Sequence, residues 1–98
     1  MSKIKIGIQG GRGSFSEEAA KIFSNNHGIN NYEIIYLISS DMVLKNVELQ
    51  TADYGVFAME NAQGGVVIES IEALAKYRGL QAGKRYAESF FIIRSIEN

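Results

Sequence analysis

The chain contains no cysteine, no proline and no tryptophan, and its only histidine is His27. Without cysteine there is no disulfide framework, no thiolate zinc site and no thiol nucleophile, and a reducing compartment suits such a chain. With His27 alone in the polar turn NNHG, no second imidazole or thiolate completes a metal site, and a solvated loop residue is the simpler reading. The missing proline has no evident physical cause. No apolar run approaches the roughly 20 residues of a membrane-spanning helix, and the opening MSKIKIGIQG lacks the continuous apolar core of a signal peptide. The expectation is a cytoplasmic protein with no membrane partner. Ten basic residues against eleven acidic ones leave a net charge of -1. That balance lacks the basic footprint needed to hold a phosphate backbone, which excludes nucleic acid as the expected partner.

What is present is enough for one compact unit over residues 1–98, with 46% apolar content, and too little for two. Ile4, Ile6 and Ile8 alternate with Lys3, Lys5 and Gly7, the period of a strand, and the chain then breaks at Gly10, Gly11 and Gly13. Ser14 and Glu17 form a capping-box pattern ahead of a helix whose Phe15, Ala19, Ile22 and Phe23 recur at helical spacing. YEIIYLI over Tyr32–Ile38 reads as a second strand. Ser39, Ser40 and Asp41 offer caps for a second helix carrying Met42, Val43, Leu44, Val47 and Leu49. Asp53–Met59 is a third strand, nearly continuous in apolar character as a strand covered on both faces should be. Val67, Ile68, Ile71, Leu74 and Ala75 predict the inner face of a third helix, with Gly79 placed to end it. The aromatic, alternating tail Arg85–Ile96 predicts a fourth strand of undetermined direction. This order predicts an α/β fold: a mainly parallel sheet of about four strands, right-handed crossovers and helices on its faces.

In such a sheet, ligands bind in the crevice outside the carboxyl ends of the strands, where both glycine-rich loops fall. GGRGSFSEEA lies between a strand and a capped helix. Its glycines either leave N–H groups facing an anion, with Arg12 adding charge, or simply let the chain turn. As a dinucleotide fingerprint it fails, because Ser16 stands where the third glycine should come. In ADYGVFAMENAQGGV, Glu60 and Asn61 follow directly on an apolar strand, and Gly64 and Gly65 let a ligand approach the main chain. The same pair equally satisfies loop amides or caps the helix that starts near Val66. Tyr32, Tyr36 and Tyr54 read as core or interface residues with hydroxyls at an edge. Lys84 and Arg85 beside Tyr86 read as a solvated strand entrance. Ser14 and Ser16 have no partner base, so no serine nucleophile is indicated.

Two of these stretches resemble one family. GGRGSFSEEAA is similar to the N-terminal signature of the prephenate dehydratases, a Gly-Pro-Glu-Gly-Thr-Phe-Ser loop after the first strand. ADYGVFAMENAQGGVVIESIEAL resembles the family's Ala-Asp-Tyr-Gly-Val strand and the Glu-Asn-Ser segment that follows it. The resemblance covers Lys3 to Leu74. It implies one three-layer lobe of the periplasmic-binding-protein-like (type 2) fold, cytoplasmic in this family. The small anionic ligand, prephenate or a related carboxylate, lies in a cleft between two such lobes. It implies loss of water and carbon dioxide from prephenate to give phenylpyruvate, on the route to phenylalanine, with no cofactor and no metal. Carried over by position, Gly13, Ser14, Phe15 and Ser16 line the cleft, Glu60 and Asn61 match the Glu-Asn pair, and Gly65 matches the loop glycine. The chain departs from the pattern at Ala62, where the family has serine, at Ala58, where it has proline, and at Gly11-Arg12, which replaces Pro-Glu. Glu88-Ser89-Phe90 only faintly echoes the family's Thr-Arg-Phe element, so no catalytic residue is assigned. Two functions follow as expectations. One is a minimal dehydratase rebuilt by a homodimer, with the tail Tyr86–Ile96 at or near the interface. The other is a non-catalytic module that binds a small carboxylate or an aromatic amino acid.

Overall fold

The computed structural model describes residues 3–59, 67–76, 80–86 and 90–95. The alternating isoleucines form β1 (Ile4–Gln9), with Ile6 and Ile8 fully buried on one face. The glycine loop leads into α1 (Phe15–Asn26), and β2 (Tyr32–Leu37) follows. Ser39 then caps α2 (Ser40–Glu48), its Oγ accepting from the Met42 amide at 3.2 Å. The apolar run becomes β3 (Tyr54–Ala58), followed by α3 (Ile68–Lys76), β4 (Leu80–Tyr86) and β5 (Phe90–Ser95).

The five strands lie in the order β2-β1-β3-β5-β4. β1 pairs parallel with both β2 and β3, with Ile6 opposite Ile34 on one side and Tyr54 on the other. β5 inserts between β3 and β4 and runs antiparallel to both. The two faces carry separate cores, which makes the lobe a three-layer α/β structure. Ala19, Ala20 and Phe23 of α1 pack on Ile6, Ile8 and Val56. Val43, Leu44 and Val47 of α2 and Ala73 of α3 pack on Phe57 and Ile93. Alternation along β3 and β5 sends Val56 and Ile92 to the first core and Phe57 and Ile93 to the second, as the period of two requires.

Gly55 sets how closely α2 lies on the sheet. A Cβ there would stand 2.7 Å from Val43 Cγ1, 2.9 Å from Val47 Cγ2 and 3.0 Å from Ile93 Cγ1. The strand gives up a side chain so that two β-branched residues of the helix can occupy the space.

The structure corrects three expectations. In α1 the buried face is Ser16, Ala19, Ala20, Phe23 and Ser24, whereas Phe15 is 75% exposed and Ile22 half-exposed. In α3, Ser70 and Ala73 face inward while Ile68, Ile71 and Ala75 face outward. Small side chains bring α3 close to the sheet and α2, and the larger ones of the same helix have no room there. The tail holds two strands rather than one. Ile92 and Ile93 of β5 are buried between the chain's own helix layers. Among the described residues no helix is long and apolar enough to cross a membrane.

Gly55→Ala is expected to destabilise the fold by about 1–3 kcal/mol through overpacking against Val43 and Val47. Urea unfolding should show a lower midpoint with an unchanged slope.

Candidate functional site

The chain leaves β1 towards β2 on one side and returns with β3 on the other, so the carboxyl ends of β1 and β3 flank a topological switch point. The β1–β3 register runs to Ile8 opposite Val56. Beyond it, the Gln9 side chain holds the two strand ends together. Its Oε1 accepts from the Ala58 amide at 2.9 Å, and its Nε2 donates to Glu69 Oε1 at 3.0 Å. The same Glu69 oxygen lies 3.5 Å from the Ser40 amide, at the N-terminus of α2, where a carboxylate is favoured.

Behind Glu69, two fully buried hydroxyls complete the link. Ser70 Oγ donates to the Ala58 carbonyl at 2.6 Å. Since that uses its one proton, the 2.7 Å contact between Ser40 Oγ and Ser70 Oγ has Ser40 as donor. Thus β1, β3, α2 and α3 meet through Gln9, Ser40, Glu69 and Ser70. Of these only Ser40 was singled out from the sequence, as a candidate helix cap. The available signal was positional: a strand ending in Gln before glycine, and Ser at the start of two helices.

The first loop is organised by Glu17. Ser14 caps α1, its Oγ accepting from the Glu17 amide at 3.2 Å. Glu17 does not return to the Ser14 amide as a capping box would; its Oε1 takes the Gly13 N–H at 2.8 Å. Gly13 has φ +80, a conformation that points its amide to this carboxylate at little cost only for glycine. Glu17 Oε2 accepts from the Tyr36 hydroxyl, which joins the loop to β2. Arg12 lies over the Tyr36 ring, 5.4 Å from its centroid. The Tyr36 hydrogen bond, then that from Gly13, holds the Glu17 carboxyl below its ordinary value, against a smaller opposing effect of burial and with help from Lys21 and Arg12. The same bond raises the Tyr36 hydroxyl, which stays protonated as the donor.

The expected cleft residues of this loop therefore differ in placement. Ser14 is committed to the cap, Ser16 is buried, the Gly13 amide is engaged by Glu17, and Phe15 projects from the start of α1. Glu60, Asn61 and Gly65 lie outside the described residues. His27 is exposed at the end of α1, with its Nδ1 3.0 Å from the Phe23 carbonyl.

With this geometry in view, comparison with known proteins is decisive for the family. The prephenate dehydratase family model matches residues 6–94. The chain belongs to the prephenate dehydratase family. A solved prephenate dehydratase from Streptococcus mutans has the same fold, with a TM-score of 0.75 at 19% sequence identity. The match covers 95% of this chain and 50% of that one, so the chain spans about half the length of the dehydratase it matches. No curated protein sequence matches it. The prephenate dehydratase match, from Ile6 onward, takes in the glycine loop and the ends of β1 and β3 that flank the switch point, and the fold it shares is the three-layer α/β lobe described above.

Ser70→Ala should cost about 1–3 kcal/mol in urea unfolding, because it leaves the buried Ser40 hydroxyl and Ala58 carbonyl unpaired. Adding Ser40→Ala should cost less than the sum of the two single changes. Because Glu17 is lowered in the folded state, its contribution is present above the ordinary value of 4.5 and is lost as pH falls through the lowered one. Glu17→Gln is expected to be less stable than the unmodified chain at neutral pH, with the gap closing in unfolding curves taken below pH 4.5.

Proposed function

We propose that this chain is a cytoplasmic prephenate dehydratase-like lobe over residues 1–98 that binds prephenate or a related small carboxylate in the crevice beside the β1–β3 switch point. The supporting observation is that the two motif stretches follow adjacent parallel strands in the sequence. The Gly10–Ser16 loop leaves the end of β1, and the stretch bearing Glu60, Asn61 and Gly65 follows β3, the strand beside it. Gly13, Ser14, Phe15 and Ser16 would form one wall of the cleft, with Phe15 as the side chain presented to an aromatic or cyclohexadiene ring. Glu60, Asn61 and Gly65 would form the other.

The reaction of such a protein would be elimination of water and carbon dioxide from prephenate to give phenylpyruvate. This chemistry needs no redox cofactor; it needs a donor at the leaving hydroxyl and a cation at a carboxylate. In this reading two copies pair as a homodimer to form the two-lobed cleft. A second reading is favoured by Ala62, which lacks the family's serine hydroxyl. In it the lobe binds a small carboxylate or aromatic amino acid without turning it over.

One experiment separates the two. The purified chain is incubated with prephenate at neutral pH, with calorimetric titration and sedimentation on the same sample. Phenylpyruvate above the spontaneous background, from a dimer, is the outcome expected of the enzyme. Heat of binding without product establishes the second reading, and neither heat nor product overturns both.

A further inference from the structure

We infer that Arg12 supplies the carboxylate-binding cation of this crevice, held ready over the ring of Tyr36, with Tyr36 and Glu17 as positioning residues. The inference rests on the proposed carboxylate ligand and goes beyond it, because position 12 is one where the chain departs from the family signature and no motif assigns it a role.

Charge placement carries the first part. The connections that leave the carboxyl ends of β1, β2 and β3 are residues 10–14, 38–39 and 59–67, and Arg12 is the only basic residue in them. The same connections carry one acidic residue in their sequence, Glu60, so a cation among them is what makes their charge balance tolerable to a carboxylate.

The hydrogen bonds carry the second part. Four of the amides around the start of α1 are engaged by the chain itself. Gly13 N–H goes to Glu17 Oε1, Ser14 N–H to the Gly11 carbonyl at 3.3 Å, Glu17 N–H to Ser14 Oγ, and Glu18 N–H to the Ser14 carbonyl at 3.3 Å. With Glu17 and Glu18 in its first turn, this helix end is served by its own carboxylates. With those amides engaged and two carboxylates in the first turn, the positive charge this loop offers an anion is the side chain of Arg12.

The third part is pre-organisation. A cation within about 6 Å of a ring centroid is attracted by the ring's negative face, and this contact consumes none of the guanidinium's N–H donors. The platform is itself fixed, since the Tyr36 hydroxyl donates to Glu17 and Glu17 grips Gly13, the residue after Arg12. Arg12 is not simply the counter-ion of Glu17. The cation within 4.0 Å of that carboxylate is Lys21, one turn along α1, whereas Arg12 faces the ring. An exposed guanidinium, anchored through its face and flanked by Gly11 and Gly13, can present a planar fork to a carboxylate with little further loss of side-chain freedom.

The test is calorimetric titration of the full chain with prephenate and with phenylpyruvate, at low and moderate salt, using the unmodified chain, Arg12→Gln, Arg12→Lys and Tyr36→Phe. Arg12→Gln is expected to weaken binding at least tenfold and to flatten its salt dependence. Arg12→Lys should restore part of the affinity and all of the salt dependence. Tyr36→Phe keeps the ring but frees Glu17, and should give a smaller loss with salt dependence retained. Arg12 is exposed, and circular dichroism melts within a few degrees of the unmodified chain are expected for both of its variants. Binding by the unmodified chain with unchanged affinity in Arg12→Gln overturns the role of Arg12 and leaves the carboxylate site standing. Absence of binding by the unmodified chain overturns the site and the Arg12 role together.

Discussion

The structure hinges on the side chain of Gln9. Where β1 and β3 end, backbone pairing can no longer hold two strands whose connections depart in opposite directions. The Gln9 amide takes over, accepting from Ala58 and donating to Glu69. An amide suits this place because it is donor and acceptor at once, whereas a carboxylate there could not give the second bond. Glu69 and Ser70 then pass the connection to α2 through the Ser40 amide and hydroxyl. A crevice in an open sheet exposes strand ends to water, and this chain of side chains keeps its floor in one geometry.

The layer behind that floor is held by close approach rather than by bulk. Gly55 leaves room for Val43 and Val47, and Ser70 and Ala73 let α3 settle on the sheet and α2. The consequence is an outer surface of α3 that carries Ile68 and Ile71, and an N-terminal rim that carries Phe15 and Ile38, all substantially exposed. Exposed apolar residues grouped in this way mark a surface suited to contact rather than to water.

Electrostatics divides the crevice along the chain. On the side of β3, Glu69 sits at the α2 N-terminus and is used structurally. On the side of β1, Glu17 is held ionised by Tyr36 and Gly13 and orders the loop that presents Arg12. Both carboxylates do what a bound anion does at a helix start in other α/β proteins. The loop's own cation is thereby left as the group of opposite sign.

The order of strands and helices, the two-faced character of β3, the Ser14 and Ser39 caps and the family motifs were legible because each depends on local spacing or on a few adjacent residues. Phe15 and Ile68 misled, since apolar periodicity reports a helix but not which of two overlapping faces turns inward. That choice belongs to the neighbour: α3 shows Ser70 and Ala73 to the core because the Ala58 carbonyl and the Ser40 hydroxyl wait there. The tail was read as one strand because Leu80–Tyr86 has no clean alternation, and its place as an edge strand beside β5 comes from pairing with residues distant in sequence. The sequence by itself determined the class of fold and the place of the glycine loop between β1 and α1, which follow from period and turn chemistry. Only the tertiary structure decided the antiparallel insertion of β5, the bridge at Gln9 and the seat of Arg12 over Tyr36, because each is a contact between segments that local spacing cannot relate.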